Sequence, residues 1–172
     1  MEFNSGVEIE RKYIIAIPAL RDMERMEGYR ASDIEQIYLE SSLVTHRIRR
    51  RKYSEGCVYT ETVKRRIDGM SAEESEREIS AEEYEGLKAK MTRGSHPVRK
   101  IRHEFLFEGQ LFEIDVYPFW RESCIMETEL KSRLDKPALP PFIRIIREVT
   151  GDKRYSNASL SHTVMPEENI SV

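Results

Sequence analysis

The chain has 172 residues, 39% hydrophobic and 34% charged, and its 28 basic and 31 acidic side chains leave a net charge of -3 at pH 7. That length suits one domain with a sizeable core, and the near balance of charge excludes a nucleic-acid binder working through a broad basic surface. Cys57 and Cys124 stand in no metal-ligand spacing, no run approaches the ~18 apolar residues of a membrane span, and the N-terminus has no export-signal pattern. The expectation is a protein of the reducing cytoplasm, with no membrane partner, that holds part of its charge inside a cavity.

In chain order, residues 7–15 carry β-branched and aromatic side chains and read as a strand ended by Pro18, and 19–27 suit a short helix closed by Gly28. Residues 36–39 and 45–52 read as extended pieces around a turn at Glu40-Ser41-Ser42, and 57–65 as the next strand after Ser54-Glu55-Gly56. Residues 71–79 follow the Asp68-Gly69 turn and read as a strand on account of their neighbours. Ser80-Ala81-Glu82-Glu83 is a capping box, so a helix is predicted from there to about Met91. Residues 98–108 and 111–117 form a hairpin about Gly109, and 123–131 form one more strand. Pro141 suits the first turn of a C-terminal helix over 142–149, and the tail beyond Leu160 reads as disordered. There is no internal repeat, so the chain reads as a single domain over 1–172.

Side chains two apart on a strand share a face, which makes parity a test of where charge points. Glu8, Glu10 and Lys12 share a face, as do Arg47 and Arg49, and Thr60, Thr62 and Lys64. The same spacing pairs Glu74 with Glu76, Lys100 with Arg102, Glu113 with Asp115, and Glu127 with Glu129. An ordinary half-buried sheet would turn such faces to water. Here like charges double up on one face, roughly 7 Å apart, and repel unless an ion of opposite sign lies between them. Paired carboxylates suit hard divalent metals and paired cations suit phosphate. Parity does not say which face of a barrel points inward, so the solvated-face alternative stays open at this point.

Glu8-Ile9-Glu10-Arg11-Lys12 resembles the ExExK signature of the CYTH superfamily, the triphosphate tunnel metalloenzymes, and the resemblance continues along the chain. Arg47-Ile48-Arg49 is similar to the RxR strand, Thr62-Val63-Lys64 to TxK, Glu74-Ser75-Glu76 to ExE, Glu113-Ile114-Asp115 to ExD and Glu127-Thr128-Glu129 to the last ExE, with 148–157 similar to the C-terminal segment. The resemblance implies an α+β, mainly β fold: a closed eight-stranded antiparallel barrel with peripheral helices and a C-terminal helix. It implies a bacterial metal-dependent hydrolase of a linear triphosphate, most simply inorganic tripolyphosphate, with Mg²⁺ or Mn²⁺ as cofactor.

By that carry-over Lys12, Arg47, Arg49, Lys64, Lys100 and Arg102 contact phosphate, with Lys153 and Arg154 adding charge from the C-terminal segment. Glu8, Glu10, Glu127 and Glu129 hold metal, Glu74, Glu76 and Asp115 assist them, and Glu113 is a supporting carboxylate. Lys12 and Tyr38 match a Lys-Tyr pair linked to hydrolysis in several members. One departure is Ala72, where many members carry an arginine; Arg65 or Arg66 are the candidates to compensate. The same fold serves adenylate cyclases and thiamine triphosphatases, and a non-catalytic polyphosphate or nucleotide-binding module is a further alternative. Trp120 is assigned a structural role, the four histidines none, and a homodimer is possible through the outer helices.

Overall fold

A computed structural model describes residues 4–168. The strands are β1 (Asn4–Ala16), β2 (Glu27–Leu39), β3 (Thr45–Lys52), β4 (Cys57–Arg66), β5 (Ser71–Glu78), β6 (Val98–Phe107), β7 (Gln110–Val116), β8 (Ser123–Glu129) and β9 (Ile145–Glu148), with short helices α1 (Leu20–Glu24), α2 (Ala81–Leu87) and α3 (Asn157–Leu160). They form one antiparallel sheet in the order β5-β4-β3-β2-β6-β7-β8-β1-β9, and β5 also pairs with β1, so eight strands close into a barrel. Closure leaves no long unpaired edge on those eight strands.

The strand at the seam shows how closure is reached. Along one edge of β1 the register Val7↔Glu73 and Glu8↔Ala72 places β5 against its first half, and Tyr13↔Glu148 places β9 against its second. β5 is too short to cover both halves. The 142–149 segment, expected as a helix, therefore extends into β9, where the exposed edge of β1 outweighs the helical pattern. Two further expectations change. α1 spans five residues and β2 begins at Glu27, while Gly28, at φ +65°, serves a β-bulge between Glu27 and Arg30 rather than a helix end. Residues 161–168, expected as a disordered tail, lie against the barrel: Trp120 Nε1 donates to the Met165 carbonyl at 3.0 Å, and Glu167 accepts from the amides of Arg121, Glu122 and Ser123. The rest of the expected tail, 169–172, lies outside the described residues.

The capping box forms as read. Ser80 Oγ accepts from the Glu83 amide and a Glu83 carboxylate oxygen accepts from the Ser80 amide, both at 3.0 Å, and a 3₁₀ turn continues α2 to Lys90. Apolar residues gather in three clusters. Tyr13, Ile15, Phe105, Phe112 and Met126 pack outside the barrel wall under Phe142 and Ile143; Ile37, Ile48 and Ile79 pack under Tyr84 of α2. The third lies within and over one end of the barrel, where Ile14, Tyr38, Tyr117 and Ile125 meet Trp120, Tyr155 and Leu160. That apolar end, closed by the C-terminal segment, leaves the remaining interior to charge.

Candidate functional site in the barrel interior

The doubled charges face inward. Glu8, Glu10 and Lys12 of β1, Arg47 and Arg49 of β3, Lys64 of β4, Glu74 and Glu76 of β5, Arg102 of β6, Glu113 of β7, and Glu127 and Glu129 of β8 line a cavity of about 450 Å³. Tyr38 and Lys153 line it too, along with Ser156, Asn157 and Ser159 of the segment that covers one end. Alternation along eight antiparallel strands puts every second side chain inside, and the apolar alternates make the outer clusters. The solvated-face alternative is thereby excluded.

Two ion-pair networks brace opposite walls. On β1, β6, β7 and β8, Lys12 Nζ lies 2.6 Å from Glu127, whose other oxygen is 3.2 Å from Arg102; Arg102 also meets Glu113 at 2.6 Å and Asp115 at 2.7 Å. On β1, β3, β4 and β5, Arg47 meets Glu74 at 2.9 Å, and Lys64 bridges Glu74 at 3.2 Å and Glu8 at 3.3 Å. Thr62 Oγ1 donates to Glu76 at 2.7 Å.

Arg49 belongs to neither network. Only 8% exposed, it donates to Gln36 Oε1 at 3.0 Å, and no carboxylate pairs with it among the described residues. Burial, then the guanidinium groups of Arg47, Arg102 and Arg51, push it down to about 10. A buried cation surrounded by cations calls for an anion.

Lys12 behaves differently. Burial alone would lower it, but Glu127 and Glu10 outweigh burial and raise it, so Lys12 is an ammonium at neutral pH. Tyr38 accepts a 2.5 Å hydrogen bond from Gln36 Nε2, and burial raises its phenol despite Arg47 and Arg49, which keeps its proton on. Glu8 is raised to about 7, first by burial and next by Glu74.

Three expected site residues stand off the cavity. The Lys100 side chain is fully enclosed and tied to Asp115, itself 1% exposed, so that pair braces Arg102 from behind. Burial would raise Asp115, but Arg102 and Lys100 hold it at about 2; burial brings Lys100 down to about 7. Arg154 points away and pairs with Asp152 at 2.7 Å, because the turn at 152–155 presents Lys153 inward instead. Conversely, Gln36, the partner of Arg49, was not foreseen, although its two-residue spacing from Tyr38 carries the signal. Arg66, one of the two candidates to compensate for Ala72, is the last residue of β4 and lines the cavity.

The carboxylates suit a hard divalent cation. Among the described residues no three of them, with or without histidine or cysteine, stand ready-made as a metal site; yet Glu8 is crowded by Glu74 and Glu10 and kept partly protonated, a condition that a bound cation relieves. Trp120 is 5% exposed among Tyr117, Phe119 and Tyr155 and does not reach the cavity.

A closed eight-stranded barrel whose interior carries paired cations and paired carboxylates defines the triphosphate tunnel fold. No protein-family model matches the chain. It is 33% identical over 162 residues to the inorganic triphosphatase of Nitrosomonas europaea, covering 91% of this chain and 98% of that protein, and 30% identical over 156 residues to the inorganic triphosphatase of Acetivibrio thermocellus, covering 90% and 93%. The chain belongs to the inorganic triphosphatase family. Its fold is similar to the crystal structure of the inorganic triphosphatase NE1496, with a TM-score of 0.57 at 29% identity over 91% of this chain and 95% of that one. The PH1819 protein from Pyrococcus horikoshii shares the fold, with a TM-score of 0.54 at 21% identity over 73% and 80%. Among the described residues no helix is long and apolar enough to cross a membrane.

Proposed function

We propose that this chain hydrolyses inorganic tripolyphosphate bound inside the barrel. The observation that carries the proposal is Arg49, a buried guanidinium between Arg47 and Arg102 with no carboxylate of its own. A linear polyphosphate supplies several charged oxygens along such a row, where charge-assisted hydrogen bonds are strong.

The roles follow from what each side chain is free to do. Arg47, Arg49, Arg102, Lys12 and Lys64 bind phosphate oxygens and stabilise charge as the bond to the leaving phosphate stretches. Lys12 works as a cation, since it is protonated, and Tyr38 as a hydrogen-bond donor to an oxygen, since its phenol keeps its proton. Lys100 and Asp115 are positioning residues that fix the Arg102 guanidinium. Glu8, Glu10, Glu76 and Glu129 are the carboxylates that would hold Mg²⁺ or Mn²⁺, with Glu74 committed first to Arg47 and Lys64, and Glu113 and Glu127 to Arg102 and Lys12. A divalent ion there supplies charge neutralisation on phosphate and a more acidic bound water.

An inorganic substrate is favoured over a nucleotide or thiamine triphosphate by the lining itself. Among the described residues Tyr38 is the one aromatic side chain there, and it is hydrogen-bonded to Gln36, so no ring is free to stack on a base or thiazolium. The free thiols of Cys57 and Cys124 support a reducing, cytoplasmic setting. The test is product release from tripolyphosphate, ATP and thiamine triphosphate, each with Mg²⁺ and Mn²⁺. Tripolyphosphate is expected to be cleaved with the highest kcat/KM; binding without turnover under every condition would instead establish a non-catalytic module.

A further inference from the structure

We infer that Arg66 binds the outermost phosphate of the chain held in the barrel. The inference rests on the reading above that a polyphosphate occupies the cavity.

Arg66 ends β4 two residues after Lys64, on the same inward face, and it lines both the main cavity and a small recess that opens from it beside Glu8, Asp68 and Ala72. Its neighbour Arg65 takes the opposite face and pairs there with Glu73 at 2.5 Å. The register sets Arg66 across from Ala72, and Ala72 across from Glu8. Three adjacent strands thus present, side by side, a cation, a methyl group and a carboxylate, the outer two about 10 Å apart at the backbone. Ala72, itself buried, lines the small recess between them.

The charge of Arg66 is not spent within the protein. Around it Glu8 is taken by Lys64, Asp68 by Arg133 and by the amides of Met70 and Ser71, and Glu73 by Arg65; no described residue forms an ion pair with Arg66 itself. An exposed arginine commonly lacks a partner, and exposure alone would mean nothing. What distinguishes Arg66 is its direction: it faces the same cavity as six other cations, at the outer end of β4 beyond Lys64, next to the carboxylate most crowded by its neighbours. An anion lying along Arg49, Arg47 and Lys64 continues outward to Arg66, with Glu8 beside it for a divalent cation on the same phosphate.

The test compares Arg66→Ala, Arg66→Lys and Arg65→Ala in steady-state hydrolysis of tripolyphosphate, with melting curves confirming that each variant folds. A charge-assisted contact to phosphate corresponds to about a tenfold or greater effect. Arg66→Ala should raise KM by about tenfold and change kcat by less than about threefold, Arg66→Lys should fall between it and the parent, and Arg65→Ala should match the parent. An unchanged KM in Arg66→Ala, or an equal rise in Arg65→Ala, overturns the assignment. Failure of the parent protein itself to bind or cleave tripolyphosphate would count against the function rather than against Arg66, so the two failures are separable.

Discussion

Arg49 and Glu127 show how the same degree of enclosure has opposite consequences. Both are buried, but Glu127 has one oxygen on Lys12 and the other on Arg102, whereas Arg49 has only the Gln36 amide oxygen. Removing the shared anion strands the Lys12 ammonium and takes one of three carboxylates from Arg102, so Glu127→Gln is expected to cost about 3 kcal/mol or more of stability as well as activity, measurable by urea unfolding. Arg49→Met removes a cation that its neighbours repel. It should leave stability unchanged or raise it by about 1 kcal/mol, while tripolyphosphate binding is lost; a destabilised Arg49→Met protein would show that the guanidinium serves the fold. Glu8→Gln belongs with Arg49: the carboxylate takes its charge reluctantly, so the amide should not reduce the melting temperature at pH 8, while metal-dependent turnover falls. Full turnover in Glu8→Gln would remove that carboxylate from the metal set.

The elements separate into those whose signals are local and those decided by distant partners. β3 follows its predicted bounds because alternation and flanking turns suffice, and α2 begins at Ser80 because its cap lies within four residues of sequence. The inward charge pairs were legible from parity, but their direction came from the resemblance, since alternation is identical for either face. β9 was not legible: Ile145 and Arg147 read as helix until the edge of β1, more than a hundred residues earlier, is there to pair with. Lys100 was misplaced for a related reason. It shares parity with Arg102, but depth along the strand, which no two-residue period encodes, seats it beyond the cavity against Asp115 and the Tyr117 ring. The closing segment rests on two such remote contacts. Gly151, at φ +76°, would set a Cβ only 3.2 Å from the Gly69 carbonyl oxygen, so Gly151→Ala should destabilise by about 1–2 kcal/mol from its backbone conformation alone, read as a lower urea midpoint. Glu167 is held at about 2: burial would raise it, but the amides of Glu122, Arg121 and Ser123 outweigh that. Because its folded value is depressed, its contribution is present above the ordinary value of 4.5 and lost as pH falls toward 2. The stability gap between the parent and Glu167→Gln should therefore be widest near neutrality and close across that acid range; a gap independent of pH would show that the segment is held by packing alone.

At the scale of the molecule, the barrel trades stability for a charged interior. Interdigitating apolar side chains would fill a barrel of this size, and here they do so only at the end where Ile14, Ile125 and Tyr117 meet the C-terminal segment. The rest is lined by charged side chains, most of them held in ion pairs across neighbouring strands. Two networks neutralise most of that charge, but Arg49 has no carboxylate of its own, and Glu8, although 3.3 Å from Lys64, is still raised by burial and by Glu74, so one asks for an anion and the other for a cation. A ligand that carries both, a polyphosphate with its divalent ion, completes the interior, and linkage requires that it stabilise the fold in proportion to its affinity. At a hundredfold excess over Kd the gain is about 2.7 kcal/mol, which for a chain of this length raises the melting temperature by roughly 5–10 °C. With chelator present to prevent hydrolysis, tripolyphosphate alone should give part of that rise in the parent and none in Arg49→Met. Because the contacts lie inside the barrel, the rise should persist at a salt concentration that suppresses attraction between exposed charges, where the Debye length has fallen to about 3 Å. A melting temperature that stays flat up to millimolar tripolyphosphate, with and without Mg²⁺, would mean that the interior cations serve the fold and not a ligand.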